Sequence, residues 1–271
     1  MRIAIAGAAG RMGQAVLRAA REEGLEVVGA IEHAASTSLG RDIGEIAGVG
    51  SIGIMASADI GSALLGADVV IDFSRPEALR SLAAVAARAG VAIVSGTTGL
   101  DAAAERALDD AAAKVAVLWA PNTSVGVFVL AELAKQAARL LGHGFDIEIV
   151  ETHHRAKVDA PSGTAARLAD AIGEARAGLT RTTGRDGQVG ARKAEEIGVL
   201  AMRGGDVVGD HSVHFLGAGE RIELTHRATS RDLFARGAIR AARGIVGAAP
   251  GRYTMKDVVG AAAGNGGAGS A

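Results

Sequence analysis

Residues 151–164 read ETHHRAKVDAPSGT. In that stretch His153 and His154 are adjacent, Lys157 follows, and Pro161 leads into Ser162, Gly163 and Thr164. Imidazoles and ammonium groups move protons near neutral pH and bind anionic oxygens. On an extended chain adjacent side chains point to opposite sides. Lys157 would share a face with His153 only on a helix, and Pro161 together with the strand-like run before it argues for a loop. Ser162 or Thr164 can cap a helix starting here, leaving backbone N–H groups at its positive end. Those amides, with Lys157 and the histidines, would form a compact receptor for carboxylate oxygens. The same groups could deliver a proton to a basic intermediate. The alternative is a basic loop that solvates the end of a strand.

A second constellation is 7-GAAGRMG-13, where Gly7, Gly10 and Gly13 follow an apolar run. The spacing is a variant of the dinucleotide-binding fingerprint. Glycines let the backbone approach a pyrophosphate whose charge sits at a helix N-terminus; a tight strand–helix turn is the other reading. Glu32, nineteen residues after Gly13, ends the next strand-like run and could accept from an adenosine ribose hydroxyl. Its charge would repel a 2′-phosphate, while His33 could offset one if protonated. NADH is therefore the expected cofactor, with NADPH accepted. His211 and His214, three residues apart on a strand, face opposite ways. With no cysteine and no evident carboxylate to complete a set, no metal site is expected. These two and His226 read as sheet or interface residues, with His211 near the bound ligand.

These groups need elements to position them. Strands are expected at 2–6, 26–32, 68–74, 91–96 and 115–120, with helices at 11–20, 77–89 and 101–113. Such alternation signals a Rossmann-type, doubly wound parallel sheet. A helix should run from about 125 to 141, then a strand at 145–151, a helix at 164–175 and a polar loop at 178–192. Three further strands, near 194–203, 207–216 and 220–229, make this half α+β with an open mixed sheet. The last two meet at 217-GAG-219, a plausible hairpin turn. The amphipathic run 231–246 should pack back on the first half. We expect a dinucleotide-binding domain over 1–123 with 230–260, a substrate-binding and tetramerisation domain over 124–229, and a disordered tail over 261–271.

Composition sets outer limits. Almost half of the 271 residues are apolar, ample for a core, and the formal net charge of −1 gives no field for nucleic acid or an acidic membrane. The lack of cysteine suits a reducing compartment. No run suggests a membrane span or signal peptide. A cytoplasmic protein is expected.

Further blocks sharpen the reading: 95-SGTTG-99, 120-APNTSVGV-127, 203-RGGDVVGDHSVHF-215, 220-ERIELTHRATSR-231 and 255-MKDVV-259. Together with the two motifs above, they resemble, in order and over most of the chain, the 4-hydroxy-tetrahydrodipicolinate reductase (dihydrodipicolinate reductase) family of lysine and diaminopimelate biosynthesis. The resemblance implies a homotetramer acting on a cyclic imine dicarboxylate with NADH or NADPH. It implies that His153 and Lys157 are the catalytic proton carriers, and that His154, Ser162, Gly163 and Thr164 meet the substrate. It further implies cofactor contacts from Gly7, Ala8, Ala9, Gly10, Arg11 and Met12, from Glu32 and His33, from Gly96, Thr97 and Thr98, and from Ala120, Pro121, Asn122 and Thr123. Two positions depart from the pattern: the family commonly has an aromatic at Thr123 and an asparagine at Phe128. Reduction of another imine or carbonyl, or a non-enzymatic NAD(H) sensor, are the alternatives.

Overall fold

The computed structural model describes residues 1–261; apart from its first residue, the expected tail lies outside them. In chain order the elements are β1 (Arg2–Ala6), α1 (Arg11–Glu22), β2 (Glu26–Ile31), α2 (Ile43–Ile46), β3 (Ala56–Ser57), α3 (Ile60–Ala63) and β4 (Val69–Asp72). Then come α4 (Pro76–Ala89), β5 (Ala92–Ser95), α5 (Ala102–Ala112), β6 (Ala116–Trp119) and α6 (Val125–Leu141). They are followed by β7 (Asp146–His153), α7 (Gly163–Ala175), β8 (Thr180–Thr182), β9 (Glu196–Arg203), β10 (Gly209–Leu216) and β11 (Arg221–Ala228). The described chain closes with α8 (Asp232–Ile245), β12 (Gly251–Tyr253) and α9 (Met255–Ala261). Two compact units result, one formed by residues up to Val125 and from Arg231 on, the other by Gly126–Ser230.

In the first unit the described strands form a parallel sheet in the order β12-β6-β5-β4-β1-β2-β3. Every residue of β4 and β5 is buried, as continuous apolar runs in a sheet covered on both faces require. One face carries α4 and α5, whose Leu79, Leu82 and Leu108 pack with Val70, Ile93 and Val117. Helix α8 packs on α1 and on β4, β5 and β6, so the amphipathic run near 231–246 does return to this unit. Strand order reverses between β1 and β4, and the crevice at such a switch point lies beyond the carboxyl ends of the strands. The short elements between β2 and β4 escape pattern reading because each is four residues or fewer. One buried carboxylate organises α2 and the turn after it: Asp42 accepts from the amides of Gly44, Glu45, Ile52 and Gly53 and from the Ser51 hydroxyl.

The second unit is a mixed sheet in the order β11-β10-β7-β9-β8. Strand β10 runs antiparallel to β7 and β11, while β7 and β8 run parallel to β9. Helices α6 and α7 cover one face, with Leu130, Leu168 and Ile172 on Ile147, Ile149, Val199, Val213 and Phe215. The stretch 178–192, expected as a loop, contains β8. Three mainly polar residues leave no periodicity to read, and pairing with β9 supplies what local sequence does not.

Candidate active site

Strand alternation explains the centre of the second unit. Ile147, Ile149, Glu151 and His153 occupy the same face of β7, and the first three are buried. An apolar residue is the expectation at Glu151; a buried carboxylate there needs donors to replace water. It has four. Arg203, on the neighbouring position of β9 from His153, donates Nη1 to Oε2 and Nη2 to Oε1, each at 2.8 Å. The Ser162 amide donates to Oε1 at 2.9 Å, and His153 Nδ1 lies 2.6 Å from Oε2. Burial pushes the Glu151 carboxyl up, but Arg203, His153 and the Ser162 amide together hold it below the usual carboxylate range.

Beyond His153 the chain forms the expected loop, closed by Lys157 N–H donating to the His154 carbonyl. The Lys157 ammonium binds Asp159 Oδ1 at 2.7 Å and depresses that carboxyl. Arg203 Nη2 also donates to the Asp159 carbonyl, so one guanidinium ties this loop to Glu151. Helix α7 starts as the Pro-Ser-Gly-Thr run suggested. Ser162 Oγ caps it by accepting from Ala165 N at 3.1 Å, and the same hydroxyl contacts His211 Nε2 at 3.1 Å. Ser162 is therefore buried with amide and hydroxyl both engaged, while Gly163 is exposed at the helix start.

His211 is buried beside this cluster, its ring 5.2 Å from that of His153 and edge-on to it. Burial first, and then the neighbouring His153, push its pKa down to about 4, against a smaller opposing effect of Glu151. His211 is therefore a neutral imidazole at neutral pH. The charge of Lys157 is close enough to act on it. His214 lies on the opposite face and approaches Glu223. His226 pairs with His211 across β10 and β11.

In the first unit, the turn 7–13 has the close approaches that glycines permit. A Cβ on Gly13 would lie 2.2 Å from the Gly7 carbonyl oxygen, and one on Gly7 would lie 2.7 Å from that of Phe73. Gly7 also has φ of +73°, in the left-handed region that favours glycine. Helix α1 begins at Gly10 with no side-chain cap and no acidic residue in its first turn, which leaves its positive end for an anion. Glu32 Oε1 accepts from Ala9 N at 2.7 Å, so the acidic residue at the end of β2 is fixed against the glycine turn. His33 is exposed, its Nδ1 accepting from the Ala35 amide.

Gly96–Thr98 and Ala120–Thr123 follow β5 and β6, as expected for ligand-facing strand ends. They are not equally exposed. Thr98 is exposed, but Thr97 is buried, its hydroxyl on Asp72 Oδ2 at 2.7 Å and its carbonyl receiving Trp119 Nε1. Thr123 is buried too, with its hydroxyl donating to the Phe234 carbonyl at 2.7 Å on α8. The hydroxyl at this departing position thus serves packing within the first unit.

Sequence comparison joins the two halves into one family. The family models described as dihydrodipicolinate reductase, N-terminus and C-terminus, match residues 1–123 and 126–259. The chain belongs to the dihydrodipicolinate reductase family. A 4-hydroxy-tetrahydrodipicolinate reductase of Anaeromyxobacter dehalogenans is 51% identical over 264 residues, 96% of this chain and 97% of that protein. One from Myxococcus xanthus is 50% identical, with 96% and 98% covered. A solved structure, a dipicolinate-bound dihydrodipicolinate reductase from Paenisporosarcina sp. TG-14, shares the fold with TM-score 0.75 at 24% identity, covering 95% of this chain and 98% of that one.

Within this dihydrodipicolinate reductase framework, the motif residues fall into two groups. His153, Ser162 and, through Asp159, Lys157 gather around Glu151 and Arg203, and the glycine turn meets Glu32 through Ala9. Sequence reasoning missed Glu151, Arg203 and Asp72. A signal existed for Glu151: the alternation of 147-IEIVETH-153 puts it on the apolar face.

Proposed function

We propose that this protein converts 4-hydroxy-tetrahydrodipicolinate to tetrahydrodipicolinate, with loss of water, in lysine and diaminopimelate biosynthesis. What carries the reading is half-identity over nearly the whole chain to proteins of that activity. The cluster in the second unit is chemically suited to it. The exposed start of α7, at Gly163 and Thr164, and the Lys157 ammonium receive the substrate's carboxylate oxygens, and His154 contacts it. Asp159 holds Lys157 in the meantime. Such exposed ion pairs are worth about 0–1 kcal/mol, so exchange for a substrate carboxylate costs little. Ser162 acts by setting the helix start from within.

The residues of the first unit fit a nicotinamide dinucleotide. The uncapped start of α1 meets the pyrophosphate, Glu32 accepts from a ribose hydroxyl, and the segments Gly96–Thr98 and Ala120–Thr123 line the remainder. Bound NADH or NADPH supplies the hydride. Loss of the substrate hydroxyl as water leaves a conjugated imine; hydride adds at the far carbon of its C=C bond, and His153 and Lys157 manage the proton that turns the resulting enamine back into the imine of the product. A positioned acid of this kind contributes about 10²–10⁴ in rate.

The charge of Glu32, fixed against Ala9, favours NADH over NADPH. The same reading makes the second unit the substrate-binding and tetramerisation domain of a homotetramer. Met202 and Leu216, exposed on the sheet face away from α6 and α7, support that assignment. It also makes the protein cytoplasmic; among the described residues no helix is long and apolar enough to cross a membrane. NADH oxidation with freshly formed 4-hydroxy-tetrahydrodipicolinate, and NADPH in parallel, tests the proposal. Robust turnover is expected. Tight NADH binding without turnover would overturn it in favour of a sensor or another imine.

A further inference from the structure

We infer that Glu151 is the positioning residue of the reaction: it fixes the proton of neutral His153 on Nδ1, leaves the lone pair on Nε2, and seats the start of α7 with the same carboxylate. The inference rests on the reading of His153 as a proton carrier, and deepens it.

Glu151 is fully buried, and both its oxygens are shared between two donors. Oε1 takes Arg203 Nη2 and the Ser162 amide; Oε2 takes Arg203 Nη1 and His153 Nδ1. An ionised carboxylate can only accept. Arg203 is permanently charged and grips it through both nitrogens, which keeps it ionised. The 2.6 Å contact to His153 therefore needs a proton on Nδ1. A neutral imidazole carries one N–H, so Nε2 is left as the acceptor, ready to take a proton and return it.

The surroundings hold the ring in this orientation. Gly209, beside His153 on β10, has no side chain, and a Cβ there would stand 3.0 Å from His153 Nε2. The space against Nε2 exists because this residue is glycine. On another side stands the edge-on ring of His211, itself held by Ser162 Oγ. Ser162 then closes the arrangement: its amide is bound to Glu151 while its hydroxyl caps α7. One buried carboxylate thus aligns the proton carrier and the carboxylate-receiving helix start. Displacing it would disturb kcat and substrate binding together and leave the dinucleotide turn of the first unit untouched.

Long-range ¹⁵N–¹H correlation spectra of ¹⁵N-histidine-labelled wild-type protein read the tautomer directly. The expected result is a His153 signal with the proton on Nδ1 in the neutral form. A proton on Nε2 would overturn the inference without any variant being made. In Glu151→Gln, the tautomers are expected to mix and kcat to fall by about 10², with a raised substrate KM and NADH Kd within about twofold of wild type. A folded Glu151→Gln protein with wild-type kcat would also overturn it. Should that variant not fold, the wild-type tautomer decides alone. The correct tautomer in a wild-type protein that fails to turn over the substrate would sink the proposed reaction and leave the positioning of His153 standing.

Discussion

Asp72, at the end of β4 in the first unit, and Glu151, near the end of β7 in the second, are both fully buried carboxylates. Burial pushes both carboxyls up, yet their net shifts run in opposite directions. Among the described residues Asp72 accepts only from neutral donors, the hydroxyls of Ser74, Ser95 and Thr97 and the Ser74 amide. Burial prevails and pushes its carboxyl up. Glu151 meets a guanidinium as well as an imidazole, and it is held down. The lesson is that burial alone does not set a charge state; the charge of the donors does. Asp72 anchors the turn bearing Gly96–Thr98 through the Ser95 and Thr97 hydroxyls, with no cationic group among its donors. Glu151 places a fixed anion where an imidazole needs one.

The starts of α1 and α7 differ in a parallel way. Helix α1 has no side-chain cap and is crowded by the glycine turn, whereas α7 is capped by Ser162 and open at Gly163. Replacing the glycines should expose that difference with the largest effect. Gly13→Ala drives a methyl into the Gly7 carbonyl oxygen; overpacking of this kind costs about 1–3 kcal/mol, and NADH affinity should fall with it. Gly163→Ala meets nothing within 4 Å and should change stability by less than about 0.5 kcal/mol while raising substrate KM. Denaturant melts and NADH titrations check both, and equal destabilisation by the two would erase the distinction.

A smaller effect is expected from Glu32→Gln. Removing that charge should move the ratio of kcat/KM for NADH over NADPH toward NADPH by about fivefold, or about 1 kcal/mol. An unchanged ratio would mean that Glu32 does not select the cofactor.

The smallest effect, a few degrees of Tm, tests the two carboxylates themselves. A carboxyl raised in the folded state lends stability that is fully present below its unfolded pKa and is lost as pH rises toward the folded value. A depressed carboxyl lends stability that is present above the unfolded pKa and is lost as pH falls through the folded one. Relative to wild type, Asp72→Asn should therefore gain Tm as pH rises from about 4 toward neutral, and Glu151→Gln should lose Tm as pH rises through about 4. Parallel curves for the two variants would show that donor charge does not separate them.

Much of this was legible in the sequence. Strands β1, β2, β4, β5 and β6 of the parallel sheet, the glycine turn, Glu32 and the helix start after Pro161 all announce themselves by short-range pattern, and pattern is local. Asp72 and Glu151 did not, because their meaning depends on partners far along the chain. Arg203 lies 52 residues from Glu151, and Thr97 lies 25 from Asp72. Ser162 and Thr97, which the motifs mark for ligand contact, also make long-range hydrogen bonds that the motifs do not reveal, Ser162 to Glu151 and His211 and Thr97 to Asp72. A hydroxyl in a motif says only that a hydrogen bond is made there; which way it points is settled by packing.

The proposed function divides labour, with dinucleotide binding in the first unit and proton transfer in the second. It is tested most directly by measuring NADH affinity and steady-state turnover on the same preparations of wild type, His153→Ala and Lys157→Ala. In each variant kcat should fall by about 10²–10⁴, with NADH Kd within about twofold of wild type. Wild-type turnover in either variant would remove that residue from the mechanism. Loss of NADH binding in step with turnover would contradict the division itself.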